Sequence, residues 1–151
     1  MQFALPAAME ELRGIRSAAD SSGITLLNAC DPANPYGSGI PLPPLASGDS
    51  HTLLRHSGNF IAFQGGSPIL LIENGGSSIR TIGRPETEAV AEALRKFVGL
   101  TRFAPAVRPI KRICVEYWDE ARPAATPWGS VLRELGFRGD ANQTLRYEEY
   151  L

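Results

Sequence analysis

Hydrophobic and polar positions repeat along this chain with periods that predict most of its elements. In "LPAAMEELRGIRSAAD", Leu5, Met9, Leu12, Ile15 and Ala19 recur three or four residues apart, and Pro6 suits a first turn. That spacing predicts an amphipathic helix, which Gly23 ends. "ITLLNA" follows as a short strand with little polar alternation, the pattern of burial on both faces. Three further strand-like runs are "NFIAFQ", "PILLIEN" and "SSIRTI". Gly65 and Gly66 separate the first two; Asn74, Gly75 and Gly76 separate the last two. These residues accept positive φ and so signal tight hairpins, which predicts a three-stranded meander.

From Pro85 the period changes. Ala89, Val90, Ala93, Leu94, Phe97 and Val98 fall at helical spacing and predict a second helix with one buried stripe. "IKRICVEYW" alternates, predicting a strand with Ile113, Val115 and Tyr117 on one face. In "TPWGSVLRELGF", Thr126 is the candidate N-cap and Pro127 the first turn. Val131, Leu132 and Leu135 form its core stripe, and Gly136 is the stop. "QTLRYEEY" is a closing strand. The predicted fold is a single α/β (α+β) domain over residues 1–151, a mixed, mostly antiparallel sheet with the three-stranded meander and about three helices.

Between the first strand and the meander the pattern loses all period, starting at "CDPANPYGSGIPLP". Asp31 with Pro32, and Asn34 with Pro35, each place an Asx residue ahead of a proline, and Gly37 closes the second tetrad. Two consecutive type I turns are expected. Proline pushes Asp31 and Asn34 out of the helical region, and their side chains can cap nearby backbone donors. The motif loop of Asp31, Asn34, Pro35, Tyr36 and Gly37 is thus either a stiff structural corner or a corner that also offers Tyr36 and Asn34 to a ligand.

Composition narrows the class. With 151 residues, 43% hydrophobic and 21% charged, the chain can bury a sizeable single core. Its longest apolar run, over 69–72, is far short of the roughly 20 residues that cross a membrane. No basic start precedes an apolar segment, so neither a signal peptide nor a membrane partner is expected. Cys30 and Cys114 stand on separate segments and form no metal-like or redox pair, which makes a reduced cytoplasm the expected compartment.

The net charge of −1 conceals an uneven distribution. Residues 80–112 hold 8 basic and 3 acidic groups, a balance of +5, whereas 1–79 hold 3 and 6 and 113–151 hold 4 and 7, each at −3. Within the basic stretch, Arg80, Arg84, Arg108, Lys111 and Arg112 fall near the ends of predicted elements. A fold that gathered them on one sheet edge would face nucleic-acid phosphates, although a solvated surface of mixed charge fits the same composition.

Most catalytic chemistries lack their residues. There is no G-x-x-x-x-G-K-[ST] phosphate loop and no G-x-S-x-G nucleophile elbow, and "GSG" at 37–39 lacks the rest of a dinucleotide fingerprint. His51 and His56, with Asp49 nearby, supply too few ligands for an expected metal site. Glu148 and Glu149 point to opposite faces of a strand and make a poor acid/base pair. No catalytic residue and no cofactor is predicted for this chain.

Taken together and in order, "FALPAAMEELRGIR", "LNACDPANPYGSGIPLP", "NFIAFQGGSPILLIENGGSSIRTI" and "LRELGFRGDANQTLRY" resemble the C-terminal region of the Lhr family, the large helicase-related proteins of superfamily 2. "DPANPYG" after a strand is the most specific element. The chain departs from the family pattern at Ala7, at Leu42, at the first hairpin turn and at Ser77. The resemblance implies a terminal accessory module of a larger ATP-dependent DNA helicase that works in DNA repair. ATP and magnesium would belong to that helicase's motor domains, and the implied partners are those domains and DNA; the basic stretch between acidic flanks predicts that DNA is bound weakly and without sequence preference. Two rival readings accompany it. One is a protein-docking module that uses an apolar patch of Leu42, Leu45, Leu53 and Leu54. The other is part of a DNA glycosylase-type enzyme, for which Asp31 with Tyr36 is the plausible nucleus.

Overall fold

The computed structural model describes residues 23–37, 39–104 and 106–148, together with Glu10. The predicted helix over 5–19 lies, but for that one residue, outside them, as does Glu149. In chain order the elements are β1 (Ile24–Asn28), β2 (Phe60–Gln64), β3 (Ser67–Glu73), β4 (Ser78–Thr81), α1 (Thr87–Gly99), β5 (Ile113–Val115), β6 (Tyr117–Trp118), α2 (Trp128–Glu134), β7 (Arg138–Gly139) and β8 (Leu145–Tyr147).

The chain is α+β, and the predicted meander forms. Strands β1 to β4 pair antiparallel in chain order, and β6 adds to β4 in parallel, giving a five-stranded sheet of order β1-β2-β3-β4-β6. A second, antiparallel sheet has the order β5-β8-β7. The hairpin between β2 and β3 turns on Gly65 (φ 53°) and Gly66 (φ 84°), the left-handed pair that a two-residue type I′ turn requires. At the next turn, Gly76 has φ 98°, and a Cβ there would come within 2.8 Å of the Ile113 and Phe97 side chains. Only glycine lets β5 and α1 close over that turn.

Strand alternation sends side chains to two cores. On one face, Phe60, Ala62, Leu70, Ile72 and Ile79 pack with the predicted α1 stripe and with Ile113, Val115, Leu132 and Leu145. On the other, Ile61, Phe63, Leu71 and Ile82 meet Ala29, just past β1, and Leu42, Leu45 and Leu53 from the aperiodic loop.

Three local expectations change. β1 is only half-buried, with Thr25 exposed, because β2 is its single strand neighbour among the described residues. The strand predicted to carry Tyr117 beside Ile113 and Val115 breaks at Glu116. There the backbone N–H groups of Glu116 and Tyr117 both donate to the Ser77 carbonyl, at 2.9 and 3.1 Å. The extra residue reverses the alternation, leaving Tyr117 41% exposed and Trp118 fully buried. Thr126 does not cap α2; its hydroxyl donates to the Pro123 carbonyl (2.9 Å), closing the 3₁₀ turn Pro123–Ala125 instead. Among the described residues no helix is long and apolar enough to cross a membrane.

Candidate nucleic-acid interface

The aperiodic loop is built from three Asx residues spaced by three. The side-chain oxygens of Asn28, Asp31 and Asn34 accept the backbone N–H groups of Cys30 (2.9 Å), Ala33 (2.8 Å) and Tyr36 (3.1 Å). Each is the self-capping turn that short polar side chains favour. The first expected β-turn is present, with Asn34 N–H donating to the Asp31 carbonyl at 3.0 Å. The hydrogen bond of the second is not made: Gly37 N–H turns to the Ile40 carbonyl (3.4 Å). Asn34 is 2% exposed, and its amide also donates to the Ala29 carbonyl (3.0 Å). It is a structural bolt and is not offered to a ligand.

Tyr36 is placed differently. Its ring stacks on Phe63, with centroids 6.1 Å apart and planes 16° off parallel, and it lines a groove of about 590 Å³. Pro43, Pro44, Leu45 and Ile82 supply apolar lining, the β2–β3 turn contributes Gly66 and Ser67, and Arg84 stands at the rim beside Gly83. Arg84 is the only charged side chain in that lining; it is exposed and has no partner among the described residues. The fold therefore brings together two residues that the sequence singled out for different reasons, the loop aromatic and one arginine.

The other predicted cations sit elsewhere. Arg80 is half-buried, its Nε 3.2 Å from Glu73 and its Nη1 3.1 Å from Glu120. Burial opposes its charge, but the hydrogen bonds to Glu120 and Glu73 outweigh that and hold its pKa above the usual arginine value. Glu73 also accepts from His51 Nε2 at 3.1 Å, so this charge network is internally matched. Glu120 (φ 68°) and Asp119 (φ 46°) form a left-handed pair without glycine. The pair is held because Asp119 Oδ1 accepts Thr81 N–H at 2.7 Å while Glu120 holds Arg80.

Arg108, Lys111 and Arg112 lead into β5, which packs at the β3–β4 turn, whereas Arg84 lies with the β2–β3 turn. These turns end opposite ends of β3, whose 7 residues at about 3.3 Å each separate them by roughly 20 Å. Arg84 and Arg112, which directly precedes β5, are therefore set toward opposite ends of β3. Arg108 is further engaged, its Nε donating to the Phe103 carbonyl at 3.0 Å.

The rival nuclei are also rearranged. Leu42, Leu45 and Leu53 are buried in the second core, which leaves only Leu54, at 66% exposed, of the supposed docking patch. Periodicity could not reveal this, since these leucines lie in a loop with no repeat. Asp31 spends a carboxylate oxygen on Ala33 N–H, and no carboxylate lines the groove among the described residues. His51 pairs with Glu73, while His56 Nδ1 accepts Gly58 N–H at 3.1 Å; no group of three metal-ligating side chains occurs among the described residues. Sequence reading missed Pro43, Pro44 and Ser67 as groove walls. The proline pair was the signal available, since it stiffens the loop opposite Tyr36. No protein-family model matches the chain, and no curated protein matches it.

Proposed function

We propose that this chain is a noncatalytic accessory module, as its resemblance to the C-terminal region of Lhr-type DNA helicases implies, and that it binds nucleic acid weakly and without sequence preference. In that role ATP and magnesium serve the motor domains, which are its partners alongside DNA, and the two unpaired cysteines fit a reduced cytoplasm. The observation that carries the reading is Arg84, an exposed cation without a carboxylate partner at the rim of an aromatic-lined groove. An unpaired cation beside apolar walls attracts phosphate without competition from an internal anion. Binding is expected to be micromolar or weaker, because few cations act together and the two flanking segments are acidic.

A salt titration followed by fluorescence anisotropy tests this. Binding to labelled DNA should weaken with salt, and Arg84→Ala should flatten the log–log slope by about 0.7 on single strands or 0.9 on duplex, the share of one phosphate. Arg80→Ala should leave the slope unchanged, because its charge is already matched by Glu73 and Glu120. No binding at low salt, or a slope indifferent to Arg84, would refute the reading.

A further inference from the structure

Phosphate attraction uses only the rim of the groove; the walls beneath it are apolar. Tyr36 is half-buried with its ring fixed in place by Phe63, Ile82 and Leu45 are buried, and Pro43 and Pro44 complete the lining. A duplex backbone passing Arg84 would leave this recess unused, since paired bases are stacked inside the helix and cannot project into it. A planar, weakly polar group carried one bond sequence away from a phosphate would fill it. An unpaired nucleotide has that chemistry, and aromatic side chains beside a cation are how single strands are held without sequence readout.

We infer that the groove is a base-binding subsite, in which one unpaired nucleobase lies against Tyr36 and the two prolines while its phosphate meets Arg84. This rests on the nucleic-acid reading above but goes further, because it assigns recognition to the base as well as to the backbone. Three features support that assignment. The aromatic ring is pre-oriented, so little side-chain freedom is lost on binding. The recess of about 590 Å³ has room for a base and its sugar. No carboxylate lines the recess among the described residues, so the one charged side chain in its lining is a cation.

The test compares three labelled probes on the intact chain: a twelve-residue thymidine strand, the same strand with abasic sites throughout, and a twelve-base-pair duplex. The thymidine strand should bind at least several-fold tighter than either of the others. Tyr36→Ala should weaken it roughly 5- to 150-fold, the range for loss of one base–aromatic stack, while Tyr36→Phe keeps affinity within about twofold. Because Tyr36→Ala also removes the contact with Phe63, Ser67→Glu provides a second variant; Ser67 is exposed, so a carboxylate there repels phosphate without touching the core. It should weaken the thymidine strand and leave the melting temperature unchanged. Equal binding of the thymidine and abasic strands, or thymidine binding that ignores both Tyr36→Ala and Ser67→Glu, overturns the base subsite while leaving the phosphate reading intact. Failure of all three probes to bind overturns both. Displacement of the thymidine strand by a proline-rich peptide, with no preference over the abasic strand, would reassign the groove to peptide recognition.

Discussion

The two faces of the five-stranded sheet are covered by different means. One face lies under α1, α2 and the small sheet, whose buried side chains repeat at regular spacing and fill the space by area and dispersion. The other lies under an aperiodic loop, from which Leu42, Leu45 and Leu53 are buried in the core and Tyr36 packs against it. Directional bonds hold that loop: the three Asx turns, Asn34 to Ala29, and Arg55 Nη2 to the Asp31 carbonyl at 3.1 Å. A face propped by a few leucines and many hydrogen bonds can keep a concavity open. The groove with Tyr36 and Arg84 lies on that second face.

Truncating the centre of each core should expose the difference most strongly. Trp118 is fully buried, stacks on Trp128 at 5.2 Å and donates its Nε1–H to Thr81 at 3.0 Å, so Trp118→Ala should cost about 3–5 kcal/mol. Leu53→Ala should cost about 2 kcal/mol, the low end of its range, because a loop can settle into the space left. Denaturant titration measures both, and equal losses would mean that the two faces are packed alike.

The bonding of the loop is tested next. Asn34→Ala strands a buried carbonyl and frees Tyr36 N–H, for an expected loss of about 2 kcal/mol. Pro35→Ala, which touches only the chain's freedom when unfolded, should cost about 0.5–1 kcal/mol. If the two variants melt together, stiffness rather than hydrogen bonding shapes the corner.

The smallest effect is expected at the tip of the second sheet. Hydrogen bonding by Thr144, with help from Asn142 and the Arg146 charge, holds the Asp140 carboxyl below the ordinary carboxylate range. A depressed folded value means that the ionised form is favoured by folding. Its contribution is complete above the ordinary carboxylate pKa and is lost as pH falls through the lower folded value. Asp140→Asn should therefore lower the melting temperature slightly at pH 7, and that difference should vanish in strong acid. A difference that persists there would point to packing as the cause.

The same contrast explains what could be read from the sequence. The meander, α1 and its stripe were legible because glycine pairs and helical spacing act locally. α2 was placed, but Thr126 turned its hydroxyl back to Pro123 where a cap was expected, a choice set by the preceding prolyl turn. The slip at Glu116 was not legible, since it depends on Ser77 accepting two donors from a distant segment. The five cations were visible as a run of charge, but linear proximity carries no information about which end of β3 each reaches. That Arg80 pairs with Glu73 and Glu120, 7 and 40 residues away in the chain, could not be read from the charge pattern. Of the two loop residues read as possible ligand contacts, Tyr36 lines the groove, whereas Asn34 is buried and bonded to backbone.

The parallel pairing of β4 with β6 also bears on the order in which the molecule assembles. The hairpins of the meander close loops of a few residues, but Ser78 meets Tyr117 only after a span of 117 − 78 = 39 residues is closed. The entropy of that closure exceeds that of a four-residue turn by roughly 2 kcal/mol, so the meander is expected to form before β6 docks. Trp118 would then be a late arrival whose contacts are absent from the folding transition state. In stopped-flow chevrons, Trp118→Ala should lose its stability almost wholly through faster unfolding, with the refolding limb unmoved. A refolding limb that slows in proportion would place β6 in the nucleus and make the sheet's last strand one of its first.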